Sequence, residues 1–350
     1  MNISLRPQPV INNLSGENAL FIVLGINTNP DHSEIIDFLA NFSALVRSLT
    51  NRFPQGNFSA SVGIGSHAWD LLFPEMNKPK ELVPFQELKG PRHTAVATAG
   101  DLFFHIRANQ MAICYELASI LHELLREHTY PISETKGFRY FDGRAILGFV
   151  DGTENPEHEI AKDIAYVGQE DVEFLGGSYV FIQKYLHNME MWKSLTTEEQ
   201  EKVIGRKKYD DVELGDDVKP QNAHNVVSKA HDAEGNELKI LRANMPFSNP
   251  TEGEYGTFFI GYSRSFNITK TMLENMFLAI CGINSSNILY MAPIAFLFFR
   301  LFDIWKPSFI GKIDRDVKGG LGVMGDDVLA GIAAGIATAG VYQLIEKFIL

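Results

Sequence analysis

Two hydrophobic patterns alternate along the first 280 residues of this chain. "ALFIVLGINT" (19–28) is a continuous apolar run ending in turn residues, the pattern of a buried strand. "HSEIIDFLANFSALVRSLTNRF" (32–53) instead spaces Ile35, Ile36, Leu39, Phe42, Leu45, Val46 and Leu49 by threes and fours, which predicts a helix with one apolar face. "FSASVGIGSHAWDLLFP" (58–74) reads as a strand, a glycine break and a short helix. A strand over "DLFFHIRANQ" (101–110) and an amphipathic helix over "QMAICYELASILHELLREH" (110–128) follow. The same grammar returns in the second half. Strands are expected at 176–188, 238–247 and 256–264, and helices at 188–205, beginning at an Asn cap and ending at Gly205, and at 269–277. Arg-Ala-Asn ends a strand at 107–109 and again at 242–244, so the order predicts an α+β protein of two similar halves. No strand leads into the glycine fingerprint of a dinucleotide fold. Residues 206–237 form a long polar insert, and loops of that length in compact domains are usually functional.

The pattern changes near residue 287. "ILYMAPIAFLFF" (288–299) is uncharged over 12 residues, too short to span a bilayer alone. "VLAGIAAGIATAGVYQLI" (328–345) is uncharged over 18, the lower bound for a spanning helix, with Gly331 and Gly335 in GxxxG spacing. From residue 288 onward six Lys/Arg balance six Asp/Glu, so the whole net charge of −12 lies before it. A neutral apolar tail joined to an acidic body marks a boundary. The organisation expected is a first half over 1–147, a second over 148–282 and a tail over 283–350.

Composition narrows the function classes. With 45% apolar and 21% charged residues the chain is globular. Its negative charge argues against a nucleic-acid partner, which needs clustered Lys and Arg. Cys114 and Cys281 are the only cysteines, so no disulfide framework or CxxC pair exists, and no secretory signal is evident at the start. A reducing cytoplasm is the expected compartment.

"GFVDGTENP" (148–156) reads on local chemistry as a surface turn, since Asp-Gly and Asn-Pro both favour turns. A calcium loop fails here: Pro156 stands where the loop needs Gly, and Lys162 where it needs a bidentate Glu. The ten histidines show no HExxH spacing. His105 in an apolar strand and His122 on a helix read as structural. His224 lies in the polar insert just before an expected short helix; it reads first as a surface residue, with a two-histidine metal site shared with His231 on the same face as the lesser alternative.

Several segments together resemble one family. "GFVDGTENP" resembles the GxxDG signature of the dye-decolourising (DyP-type) heme peroxidases, and "HAWDLLFP", "GDLFFHIRAN", "VIGRKKYDD", "NAHNVV", "ILRANMPF" and "YGTFFIGYSR" resemble its other segments, in its order. The resemblance covers about residues 15–280 and is nearest the bacterial B-type members. It implies two ferredoxin-like halves with antiparallel sheets, heme b in the C-terminal half, and hydrogen peroxide and a small aromatic reductant as substrates. Carried over residue by residue, it implies His224 as the proximal iron ligand and Asp151, Arg242 and Asn244 on the distal side. It further implies Glu237 near the proximal histidine, Arg206 as a propionate contact and Phe259 lining the distal face. A carboxylate there can take a proton from bound peroxide, and a fixed guanidinium can stabilise charge on the departing oxygen. Trp69, Trp192, Tyr209 and Tyr255 are available as electron-entry aromatics, and none is assigned.

The family's final segment is not seen after about residue 283. "FRLFDIWKPSFIGKIDRDVKGGLGVMGDDVLAGIAAG" resembles instead the C-terminal part of the A-type phosphatidylglycerophosphatases, whose Asp314, Asp316, Asp326 and Asp327 counterparts suit Mg²⁺ beside a phosphate. That family's N-terminal half is absent, so lipid-phosphate hydrolysis by the tail alone is not expected. An apolar helical tail at the inner face of the membrane is expected, or else a chance fusion with a loosened heme pocket. A heme carrier without turnover and a phosphatase fragment are the alternative functions. A homo-oligomer is left open.

Overall fold

The computed structural model describes residues 7–10, 16–28, 31–91 and 93–277. The chain divides between Ala279 and Ile280 into two units, and every described residue belongs to the first. The expectations for an apolar helical tail and its membrane association therefore fall outside the described residues. Among the described residues no helix is long and apolar enough to cross a membrane.

The first half runs β1 (Asn18–Ile26), α1 (Ser33–Arg52), β2 (Ser59–Ile64), α2 (Ser66–Leu72), a small hairpin of β3 (Leu88–Lys89) and β4 (Thr94–Ala95), β5 (Leu102–Ala108), α3 (Met111–Leu125) and β6 (Thr129–Phe138). Its sheet has the order β2-β5-β1-β6 and is antiparallel throughout, the interleaved double strand–helix–strand arrangement of a ferredoxin-like half. Alternation along β1 decides the layers. Leu20 and Ile22 point to the core formed with α1 and α3, while Ala19 and Phe21 point to the opposite face. As the spacing predicts, Ile35, Phe42 and Leu49 of α1 are buried, with Ile36, Leu39, Leu45 and Val46 packed at the margin. β6 was not expected. It is an edge strand that keeps few apolar residues and carries Pro131 where its register with β1 slips, so it lacks the alternation that marks a strand.

The second half contains α4 (His158–Ala165), β7 (Tyr179–Leu186), α5 (Met189–Ser194), α6 (Thr197–Ile204), α7 (His224–Val227), a short hairpin of β8 (Ala230–His231) and β9 (Glu237–Leu238), β10 (Leu241–Arg242), β11 (Met245–Asn249), β12 (Glu254–Ser263) and α8 (Phe266–Phe277). β12 pairs antiparallel with β7 on one side and with β10 and β11 on the other. The helix expected over 188–205 is two helices. Thr196 caps a new start by accepting from Glu199 N while the Glu199 carboxylate accepts from Thr196 N, and this capping box breaks the run. The strand expected over 238–247 is interrupted at Ala243–Asn244, because the Asn244 amide oxygen takes the Ile260 N–H at 3.1 Å. Pairing keeps one register across the break, Arg242 opposite Gly261 and Met245 opposite Phe258. His231 lies in β8 and not on a helix with His224, so the two-histidine reading fails, and no metal-ligating cluster occurs among the described residues.

One face of the second sheet packs on the first. Leu241, Ala243, Met245, Phe247, Phe258, Ile260 and Tyr262 form a core with Ala19 and Phe21. Phe21 and Phe258 stack with ring centroids 3.9 Å apart. The Tyr262 hydroxyl lies 2.8 Å from His105 Nδ1, so His105 is the buried structural histidine the sequence suggests.

Candidate active site

The other face of the second sheet follows from the same alternation. With Leu241, Ala243 and Met245 turned toward the first half, Arg242 and Asn244 point the opposite way. With Phe258 and Ile260 buried in that core, Phe259 shares the face of Arg242 and Asn244. Ring packing between Tyr185 and Phe259, 6.3 Å apart, extends this face onto β7. Three of the expected distal residues are therefore co-facial by strand geometry.

Asp151 reaches them from a loop. The chain turns back after Tyr140: Arg144 pairs with Val150, and Asp151 N donates to Gly143 O at 3.0 Å. Gly148 and Gly152 have φ of +92° and +87°, a left-handed backbone that favours glycine on either side of the acid. Asn155 then docks the loop on β10. Its Oδ1 accepts from Arg242 N and its Nδ2 donates to Arg242 O, each at 2.8 Å, as a neighbouring strand would. "GFVDGTENP" is thus a turn, and the turn presents an acid: Asn244 Nδ2 donates to Asp151 Oδ1 at 3.5 Å.

Burial raises the Asp151 carboxyl above its ordinary value, while the Asn244 amide, the Arg242 charge and the Gly152 N–H work against the rise. Burial also lowers Arg242, and the charges of Asp151, Glu154 and Glu237 oppose that shift. His224 begins α7. Its side chain is exposed, although protein atoms crowd around the ring. Burial first and the Arg242 charge second push its imidazole down to about 4, so the ring is neutral with a lone pair to offer.

Arg206 is held by carboxylates. Its Nη1 donates to Glu154 Oε1 and its Nε to Asp211 Oδ1, both at 2.9 Å, and Thr153 Oγ1 donates to Asp211 Oδ2 at 2.6 Å. Glu237 faces Lys229, at 3.9 Å. Asn225, buried beside His224, donates to Gly205 O at 3.3 Å and to Glu213 Oε1 at 3.0 Å, so one amide ties the helix of His224 to the residue before Arg206.

Residues 8–139 match the family described as Dyp-type peroxidase, N-terminal, and residues 142–299 match Dyp-type peroxidase, C-terminal. A dye-decolorizing peroxidase of Mycobacterium tuberculosis is 47% identical over 286 residues, 82% of this chain and 84% of that one. This chain belongs to the DyP-type peroxidase family. The crystal structure of a dye-decolorizing peroxidase from Bacteroides thetaiotaomicron is similar with a TM-score of 0.75 and 54% identity, covering 78% of this chain and 88% of that one. A variant of DypB from Rhodococcus jostii in complex with heme is similar with a TM-score of 0.72 and 43% identity, covering 75% and 84%. Residues 273–342 match phosphatidylglycerophosphatase A, overlapping the peroxidase match. The Escherichia coli phosphatidylglycerophosphatase A is 55% identical over 42 residues, which is 24% of that enzyme, in keeping with the missing half expected from the sequence.

The sequence expected Asp151, His224, Arg242 and Asn244 from motif and order, and the structure brings Asp151, Arg242 and Asn244 together. Asn155, Arg144 and Asn225 were not expected. Their partners are backbone carbonyls and amides far away in sequence, and no spacing reports such contacts.

Proposed function

We propose that this chain is a heme-dependent peroxidase in which Asp151 moves the proton of hydrogen peroxide and Arg242 stabilises the charge that its cleavage releases. The observation that carries the reading is the shared face: Arg242, Asn244 and Phe259 on one side of the sheet, Asp151 docked against them, and a neutral His224. The donor set fits heme. A neutral imidazole can ligate iron, the Phe259 ring backed by the aliphatic cluster of Met272 and Ile240 suits a flat apolar group, and Arg206 can meet a propionate once Glu154 shares it.

Heme held by His224 would supply an iron at which peroxide can bind and the electrons that break its O–O bond. Asp151 must be ionised to take a proton, and the nearby guanidinium of Arg242 favours that form. Asn244 holds one carboxylate oxygen by its amide and leaves the other for the substrate. Arg242 is fixed at its backbone by Asn155, so its charge is in place before negative charge develops on the departing oxygen. A small aromatic reductant then returns the enzyme to rest.

The test is visible absorption of the full chain supplied with heme, before and after one equivalent of peroxide, alongside His224→Ala. A Soret band that shifts with peroxide, and that is lost or displaced in the variant, supports the reading. A Soret band indifferent to peroxide supports a heme carrier. For residues 283–350 we propose attachment at the inner face of the membrane, supported by the apolar runs and the phosphatase match. Full recovery of the chain in the soluble fraction of expressing cells would overturn that proposal.

A further inference from the structure

Arg144 lies seven residues before Asp151 and has no part in the chemistry above. Its side chain is 18% exposed and is spread over four acceptors. Nε donates to Asp142 Oδ1 at 2.9 Å, Nη1 to Gly148 O at 3.0 Å and to Lys208 O at 2.6 Å, and Nη2 to Tyr209 O at 3.2 Å. Three of these acceptors are carbonyl oxygens. They carry no full charge, so the shape of the guanidinium fork matters here more than its charge.

The acceptors belong to two separate segments. Gly148 is in the loop that ends at Asp151, while Lys208 and Tyr209 are in the polar insert. The backbone of Arg144 pairs with Val150, so the side chain anchors the strand partner of the residue before the acid. The same two segments are joined a second time beyond Asp151, through Arg206 to Glu154 and Thr153 to Asp211. Lys208 adds a third tie, its Nζ 5.8 Å from the centre of the Phe149 ring. Asp151 is therefore suspended between two clamps that close on one piece of chain.

We infer that Arg144 is a positioning residue, which fixes the Asp151 carboxylate against Asn244 and Arg242 by clamping residues 142–151 to residues 206–209. The inference rests on Asp151 being the proton acceptor. A 1 Å displacement of such a group costs on the order of tenfold to a hundredfold in rate.

Hydrogen cyanide, like hydrogen peroxide, gives up a proton as it binds heme iron, so its association rate reports the distal base without turnover. The experiment measures that rate for the full heme-loaded chain from about pH 4 to pH 8, with Arg144→Leu, Arg144→Lys and Asp151→Asn. Expected are an acid limb in the wild type, no limb in Asp151→Asn, and in Arg144→Leu a rate lower by about tenfold with a displaced midpoint. The Soret maximum and heme content of Arg144→Leu stay at wild-type values. Arg144→Lys behaves like the leucine variant, because a point charge cannot span both segments. A wild-type rate and midpoint in Arg144→Leu overturns the inference, as does full rescue by Arg144→Lys. If Arg144→Leu fails to take up heme, Arg144→Lys, which keeps the charge but not the fork, carries the test, and wild-type behaviour in it overturns the inference equally. An acid limb that survives in Asp151→Asn removes the reading of Asp151 itself, a result distinct from wild-type behaviour in the Arg144 variants alone.

Discussion

At the scale of single residues, the proton transfer proposed for Asp151 ties the pH range of the reaction to the electrostatics of that carboxyl. Proton transfer needs the carboxylate, and burial raises its pKa above the ordinary value of about 3.9. Activity toward peroxide is therefore full well above that raised pKa and is lost as pH falls through it. Asp151→Asn should lower the second-order rate with peroxide by about 10²- to 10⁴-fold and abolish the acid limb. Asn244→Ala removes a contact that holds the pKa down. Its acid limb should move to higher pH, so that activity is lost earlier on acidification; a limb moving to lower pH would show that solvent admitted by the truncation outweighs the lost hydrogen bond. Arg242→Leu should shift the limb in the same direction and also lower the rate at the plateau, since it removes the charge awaiting the departing oxygen. In the sequence these roles are implied by the family resemblance, because each of the residues sits in a short motif. Asn155 was hidden. In the sequence its only signal is the Asn-Pro turn, whereas in the fold its amide stands in for a missing strand beside β10.

At the scale of elements, the sequence was most legible where one face is buried and least where a side chain replaces a backbone partner. β1, α1, β5 and α3 follow their hydrophobic patterns closely. α5 and α6 read as one helix because their apolar spacing continues through Leu195, and only the reciprocal bonds of Thr196 and Glu199 divide them. Thr196→Ala should cost about 1 kcal/mol in a denaturant titration. The effect should stay out of the heme spectrum, since α6 ends at Gly205 before the ligand helix is reached. Gly205→Ala should lower stability and also displace the Soret band. Gly205 has φ of +90°, and a Cβ there would run into the Asn225 amide that neighbours His224. A displaced Soret band in Gly205→Ala with an undisplaced one in Thr196→Ala would separate the cap of the helix from the support of the ligand.

At the scale of the whole described unit, the second sheet is shared: its one face carries the site and its other face is half of the core that joins it to the first sheet. Phe21 belongs to β1, on the far side of that core from Arg242, and stacks on Phe258, whose neighbour Phe259 turns to the site. Phe21→Ala should cost about 3–5 kcal/mol, and the cavity should let β12 shift beneath the site. Leu117→Ala, in the core between the first sheet and its helices, should cost about 2–5 kcal/mol without touching the second sheet. The comparison is made at a temperature where both variants are folded, by titrating each with heme. Heme affinity should fall in Phe21→Ala and stay at the wild-type value in Leu117→Ala. Equal losses in both would mean that heme reads global stability, and equal retention would mean that the site face holds its shape without support from the core behind it. From element order the sequence expected two similar α+β halves, and the described sheets are both antiparallel but differ in strand order. That a stacked pair of rings is among the contacts by which the first half supports the second sheet follows only from the alternation of β1 and β12 in three dimensions, where Phe21 and Phe258, 237 residues apart, meet.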